Sequence, residues 1–210
     1  MQLPRYEVGN TTIGQLVDLV AEQLGESKAL EYPMLGIRYN YREFRDVCNQ
    51  VAKGFMALGI EAGEHIALWA NNVPEWLYTQ FSTGKMGAVM VTVNTNYRAF
   101  ELEYLLKQSD ATTLLLIGGV READEYLKVI DAICPELKDS APGELSCEKL
   151  PLLKNVIFLG PERRPGMFSW SDLVEMGKTI SDEALAERQA SLHPDDVINM
   201  QYTSGTTGFP

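Results

Sequence analysis

Basic residues are scarce in this chain of 210 residues: 18 Lys and Arg stand against 29 Asp and Glu, a formal net charge of −11. A field of that sign repels phosphate backbones and anionic lipid, which argues against general nucleic-acid or membrane-surface binding. An anionic ligand therefore has to be held locally, by backbone amides or a few placed cations. Histidine is scarcer still, only His65 and His193, and the three cysteines Cys48, Cys134 and Cys147 fall in no CxxC or Cys/His spacing. A disulfide framework and a zinc site are both disfavoured, and no metal ligand is assigned. Long hydrophobic runs are missing too. GAVMVTV and LLLI fall far short of the about 18 residues of a membrane span, and the opening MQLPRYEVGN has no basic region followed by an apolar run. A soluble, cytoplasmic protein is expected, with a core that needs no covalent staples.

What is present alternates. Thr12 with Gln15 forms a capping box ahead of Ile13, Leu16, Val17, Val20 and Leu24 at helical spacing, and Gly25 supplies a stop. The runs ALEY at 29–32 and IRYNY at 37–41, split by Pro33 and Gly36, suit a hairpin. A second helix buries Phe44, Val47, Cys48, Val51, Phe55 and Leu58 and ends at Gly59. HIALWA then reads as a strand, Asn72 with Glu75 as the cap of a helix towards Met86, and AVMVTV as the next strand. A helix over 99–108, a strand at 113–117 and a helix over 122–134 continue the alternation. Pro135 to Leu153, with Pro142, Gly143 and Pro151, reads as an aperiodic surface excursion. NVIFL, short helices over 170–176 and 182–190, and the strand VINMQY at 197–202 complete the pattern. The fold class is α/β, a doubly wound, mostly parallel sheet with flanking helices. The expected organisation is 1–60 as N-terminal helices and hairpin, 61–134 as an α/β unit, 135–153 as a surface loop, and 154–210 as an α/β segment.

Directly after the last strand, Thr203, Ser204, Gly205, Thr206, Thr207 and Gly208 place four hydroxyls and two glycines in six positions without a charged side chain. Glycine lets backbone N–H groups approach phosphate oxygens, and hydroxyls add donors, so such a loop can wrap a polyphosphate without fixed cations. It is not the P-loop GxxxxGK[ST], because only two residues separate Gly205 from Gly208 and no Lys follows. It is not GxGxxG either. A generic Ser/Thr/Gly cluster at a chain end is a disordered tail; the order TSGTTG after a strand favours the phosphate cradle instead.

YTSGTTGFP resembles the phosphate-loop signature of the AMP-forming adenylating superfamily, which includes acyl-CoA synthetases, luciferases and the adenylation domains of peptide synthetases. GIEAGEHIALWANNVPEW, GKMGAVMVTVNTNYRAFELEYLLKQSDATTLL and HPDDVINMQYTSGTTG resemble successive blocks of acyl-CoA synthetases in the same order. VIDAICPEL followed by APGELSCEKLPLLKNVIFL resembles the medium-chain branch of the fatty acyl-CoA synthetases. The resemblance covers nearly the whole chain and corresponds to the first part of the large N-terminal domain, without the C-terminal lid domain.

The resemblance implies an ATP-dependent ligase that joins a fatty acid to ATP, giving an acyl adenylate and pyrophosphate, and then passes the acyl group to coenzyme A. It also implies Mg2+ and a catalytic lysine that screen the charge of two approaching anions, and a loop that grips the β- and γ-phosphates. The phosphate-binding role passes to Thr203, Ser204, Gly205, Thr206, Thr207 and Gly208. The family's magnesium-associated glutamate, ribose-binding aspartate, hinge and catalytic lysine belong to later segments, so no catalytic residue is assigned. The chain alone is expected to be inactive and to self-associate through an uncovered sheet edge. Two alternatives stay open: adenylation with a carrier-protein thiol or another nucleophile as acceptor, and a non-catalytic short form that binds a nucleotide or a partner. Other residues read more simply. His193, Asp195 and Asp196 suit a solvated turn before the last strand, Trp69 and Trp76 suit packing, and Cys48 suits a buried structural thiol.

Overall fold

Residues 10–203 are described by the computed structural model of the chain. Helix α1 (Ile13–Leu24) starts where its sequence says it should: Thr12 accepts from the Gln15 N–H, and the Gln15 side chain accepts from the Thr12 N–H. Such a cap contributes about 1 kcal/mol. Gly25 ends the helix in the right-handed region, so its role is not the left-handed cap that glycine often provides. Strands β1 (Lys28–Tyr32) and β2 (Ile37–Asn40) pair antiparallel across a 3-10 turn at Pro33–Leu35, with Gly36 left-handed at φ +66°. Helix α2 (Tyr41–Ala57) buries Phe44, Cys48, Val51 and Phe55. Val47 and Leu58, on the same stripe, pack against that core at its margin.

Strand β3 (His65–Trp69), helix α3 (Pro74–Met86) and strand β4 (Val89–Thr92) form the first parallel crossover. The helix begins one residue later than Asn72 would set it. Pro74 occupies the first helical position, where its missing N–H costs nothing, so Val73 becomes the cap and offers no side-chain bond. Helix α4 (Ala99–Gln108) and strand β5 (Ala111–Leu116) follow, then α5 (Glu125–Ile133). Residues 122–124 stay outside that helix because Asp124 is left-handed, at φ +63°.

The segment 135–153 is irregular, yet it is not a free surface excursion. It opens with a 3-10 helix at Pro135–Asp139 and buries Leu137, Cys147, Leu150 and Leu153 in the core shared with α4 and α5. Those anchors are unevenly spaced, which is why no helix or strand period reveals them. Strand β6 (Asn155–Phe158) then pairs with a two-residue strand unseen in the sequence pattern, β7 (Phe168–Ser169). Helices α6 (Trp170–Met176) and α7 (Asp182–Ala190) lead to β8 (Asn199–Gln201). The last strand is shorter than the run 197–202 because Val197 and Ile198 lie exposed before the ladder begins.

The six-stranded sheet has the order β7-β6-β5-β3-β4-β8, and every pair in it is parallel. Side chains alternate between two cores. Ala67, Trp69, Val91, Leu114, Leu116 and Phe158 meet α4 and α5, whereas Ile66, Leu68, Met90, Leu115 and Ile157 meet α2, α3 and α6. With helices on both faces the sheet is doubly wound, as the buried, unalternating strands imply. Chain direction reverses between β3, which leads off towards β4, and β5, which leads off towards β6. Ligands of open parallel sheets bind outside the carboxyl ends of the strands at such a point.

Candidate nucleotide site at the carboxyl edge of the sheet

Parallel pairing fixes where the loop after β8 starts. Met90 lies opposite Asn199 and Thr92 opposite Gln201, so Tyr202 and Thr203 leave the sheet at its carboxyl edge, next to the turn that follows β4. Thr203 is exposed there. Ser204, Gly205, Thr206, Thr207 and Gly208 lie outside the described residues. Tyr202 is half-buried and packs on the α4–α5 core. Burial pushes its phenol above the ordinary value, and the neighbouring Tyr104, Asp110 and Tyr97 push the same way.

The turn between β4 and α4 is held from beneath. Trp69 Nε1 donates to the Asn94 carbonyl at 3.1 Å, and Tyr126 Oη donates to the Thr95 carbonyl at 2.8 Å. Within the turn, the Asn96 N–H donates to Asn94 Oδ1 at 2.9 Å, and Arg121 donates to Asn96 Oδ1. Two side chains from β3 and α5 thus fix the backbone beside which the chain leaves β8. At the same edge, Glu75 sits in the first turn of α3, and burial raises its carboxyl above the ordinary range.

Both histidines are elsewhere. His65 opens β3 at the amino edge, where its Nδ1 meets the Ser109 carbonyl. His193 turns the chain before β8: its N–H donates to Asp196 Oδ2 at 2.7 Å, and the Asp195 N–H donates to its Nδ1 at 3.3 Å. Asp195 and Asp196 are exposed in that turn, as expected. Trp69 is fully buried, and Trp76 packs at the margin of the other core. Cys48 is inaccessible, and burial, the leading cause, pushes its thiol up to about 12. The edge therefore supplies position and hydrogen bonds, and histidine base chemistry is not part of it.

Magnesium finds no carboxylate group to hold it among the described residues. The only convergent set of potential ligands there is Cys134, Glu136 and Cys147, whose thiols suit softer ions than magnesium. Spacing alone hides this cluster, because twelve residues separate the two cysteines.

Residues 17–210 match the profile of the AMP-binding enzyme family. The chain belongs to that family. Similar relatives of this chain include YngI of Bacillus subtilis (strain 168), named as a candidate acyl-CoA synthetase, at 48% identity over 204 residues, 97% of this chain and 37% of that one. Another is the mitochondrial medium-chain acyl-CoA ligase ACSF2 of Danio rerio, 30% identical over 208 residues, 99% of this chain and 34% of that one. The chain thus spans about a third of the length of these curated relatives. Among solved structures, the fold is shared with the anthranilate CoA ligase AuaEII in complex with anthranoyl-AMP, at TM-score 0.76 and 24% identity, covering 100% of this chain and 35% of that one. It is shared as well with the long-chain-fatty-acid-CoA ligase FadD1 of Archaeoglobus fulgidus, at TM-score 0.69 and 23% identity, covering 98% and 37%.

Proposed function

We propose that this chain is the opening part of an AMP-forming fatty acyl-CoA ligase, and that Thr203, Ser204, Gly205, Thr206, Thr207 and Gly208 hold the phosphates of ATP. The observation that carries the reading is the exit of β8: a parallel strand delivers Thr203 to the carboxyl edge of a doubly wound sheet, and TSGTTG begins there. In this role the hydroxyls donate to phosphate oxygens, and the two glycines let the backbone close around them. The leaving pyrophosphate is held in place while a carboxylate attacks the α-phosphorus, and coenzyme A then takes the acyl group. Relatives named as acyl-CoA synthetases and ligases support the substrate class.

In this reading the chain's share of the work is positioning, and the groups that neutralise charge at the α-phosphorus come from outside residues 1–210. Magnesium, when bound, would screen the phosphate charge; no described residue is assigned to it. Carboxylate-dependent exchange between ATP and pyrophosphate, run over short, medium and long fatty acids, tests the proposal. The longest native product that carries this chain should exchange, with a maximum at one chain length, and residues 1–210 alone should not. Exchange by residues 1–210 alone would show that the missing groups are not needed. No exchange by either would overturn the ligase reading.

A further inference from the structure

A second site stands apart from the carboxyl edge. Helix α5 runs back across the sheet, so Cys134, which caps its end, lies towards the amino edge. The 3-10 turn that follows carries Glu136, and the chain returns at Cys147. One ligand atom from each of Cys134, Glu136 and Cys147 lies within 4.8 Å of the other two. Both thiols are buried, and Cys147 Sγ donates a long contact, 3.7 Å, to the Ile133 carbonyl.

Glu136 is the unexpected member. Its Oε1 accepts from the Glu148 N–H at 3.2 Å, which fixes the carboxylate beside the second cysteine. Its Oε2 is shielded from solvent, and the Cys147 thiol hydrogen-bonds to the carboxylate. One carboxylate oxygen and two thiols, all from one short stretch of chain, thus face one another. A cation would bridge all three.

We propose that Cys134, Glu136 and Cys147 bind a thiophilic divalent cation of the zinc class, which staples the 135–153 segment to the end of α5. Tetrahedral coordination at ordinary zinc–sulfur and zinc–oxygen lengths places ligand atoms about 3.5–3.8 Å apart, so side-chain rotation closes the set from its present spacing. Two thiol protons pass to solvent, two metal–sulfur bonds and one metal–oxygen bond form, and water takes the fourth position. Three anionic ligands around a dication leave one negative charge, and the Lys149 cation acts on Glu136. Two sulfurs and one oxygen select zinc, cobalt or cadmium over magnesium or calcium.

The test uses the longest native product that carries this chain, stripped with a chelator under reducing conditions and titrated with Co2+ and then Zn2+. The site predicts a thiolate-to-cobalt charge-transfer band that saturates at one equivalent, is displaced by Zn2+ and is untouched by excess Mg2+. Cys134→Ser and Cys147→Ser should lose the band, Cys48→Ser should keep it, and Glu136→Gln should weaken binding by about tenfold or more. Zn2+ should also slow tryptic cleavage after the exposed Lys149 in the wild-type protein, a readout that needs no variant to fold. Absence of the band, its survival in Cys147→Ser, or a Cys134–Cys147 disulfide formed with no metal uptake would each overturn the proposal.

Discussion

Trp69 lies flat against Tyr126, with ring centroids 3.7 Å apart and planes 5° from parallel. The rings come from the end of β3 and the first turn of α5, and each donates to one of two consecutive carbonyls of the turn after β4. Stacking restricts both rings to the orientation in which those bonds form, so one aromatic pair sets the backbone next to the exit of β8.

Tyr126→Phe keeps the stack and removes one hydrogen bond, leaving the Thr95 carbonyl unpaired. A loss of about 1–2 kcal/mol is expected from urea unfolding. Trp69→Ala removes the stack as well and should cost about 3–5 kcal/mol.

Among the described residues Lys85 is the least accessible cation of an ion pair: its side chain is 2% exposed, and its Nζ donates to Asp18 Oδ1 at 2.7 Å and Gln189 Oε1 at 3.0 Å. The pair ties α1, α3 and α7 together. Asp18→Ala strands a buried ammonium and should destabilise by about 3 kcal/mol, whereas Lys85→Met should cost much less, because a packed apolar side chain replaces the charge. Thermal unfolding of the two variants side by side checks the order.

Cys48 should resist iodoacetamide at pH 8 in the native protein and react once urea unfolds it. Its thiol titrates at about 12 against an ordinary 9.0, chiefly through burial. The folded value is the raised one, so its contribution to stability is complete below about pH 9 and is lost as pH rises towards 12. A Cys48→Ala variant should show a flatter fall of stability across that window.

At Gly166, φ is +71°, and a Cβ would sit 1.8 Å from the Leu137 carbonyl oxygen. The turn before β7 therefore touches the 135–153 segment backbone to backbone. Gly166→Ala should destabilise by about 2 kcal/mol or more, with faster proteolysis within 135–153 as the local signature.

These residues show why some of the structure was legible and some was not. Thr12 and Gln15, the hairpin around Gly36 and the buried strands at 65–69, 89–92 and 111–116 follow local rules of capping and period, so their elements appear where expected. Val73 displaces Asn72 as a cap because a proline one residue later decides the start. The two-residue β7 is too short for any period to register. The anchors Leu137, Cys147, Leu150 and Leu153 are set by packing partners distant in sequence. At the candidate site, residue order alone suggests the loop, while the hydrogen bonds that hold the turn after β4, Trp69 with Asn94 and Tyr126 with Thr95, depend on contacts 25 and 31 residues apart.

The central claim is that the loop after β8 holds the phosphates of ATP. Its most direct test is ATP–pyrophosphate exchange by the longest native product that carries this chain, wild type against Gly205→Val and Thr206→Val, with the unfolding midpoint of each measured in parallel. The account predicts exchange reduced by about 100-fold or more at an unchanged midpoint. Exchange at the wild-type rate in both variants would contradict it.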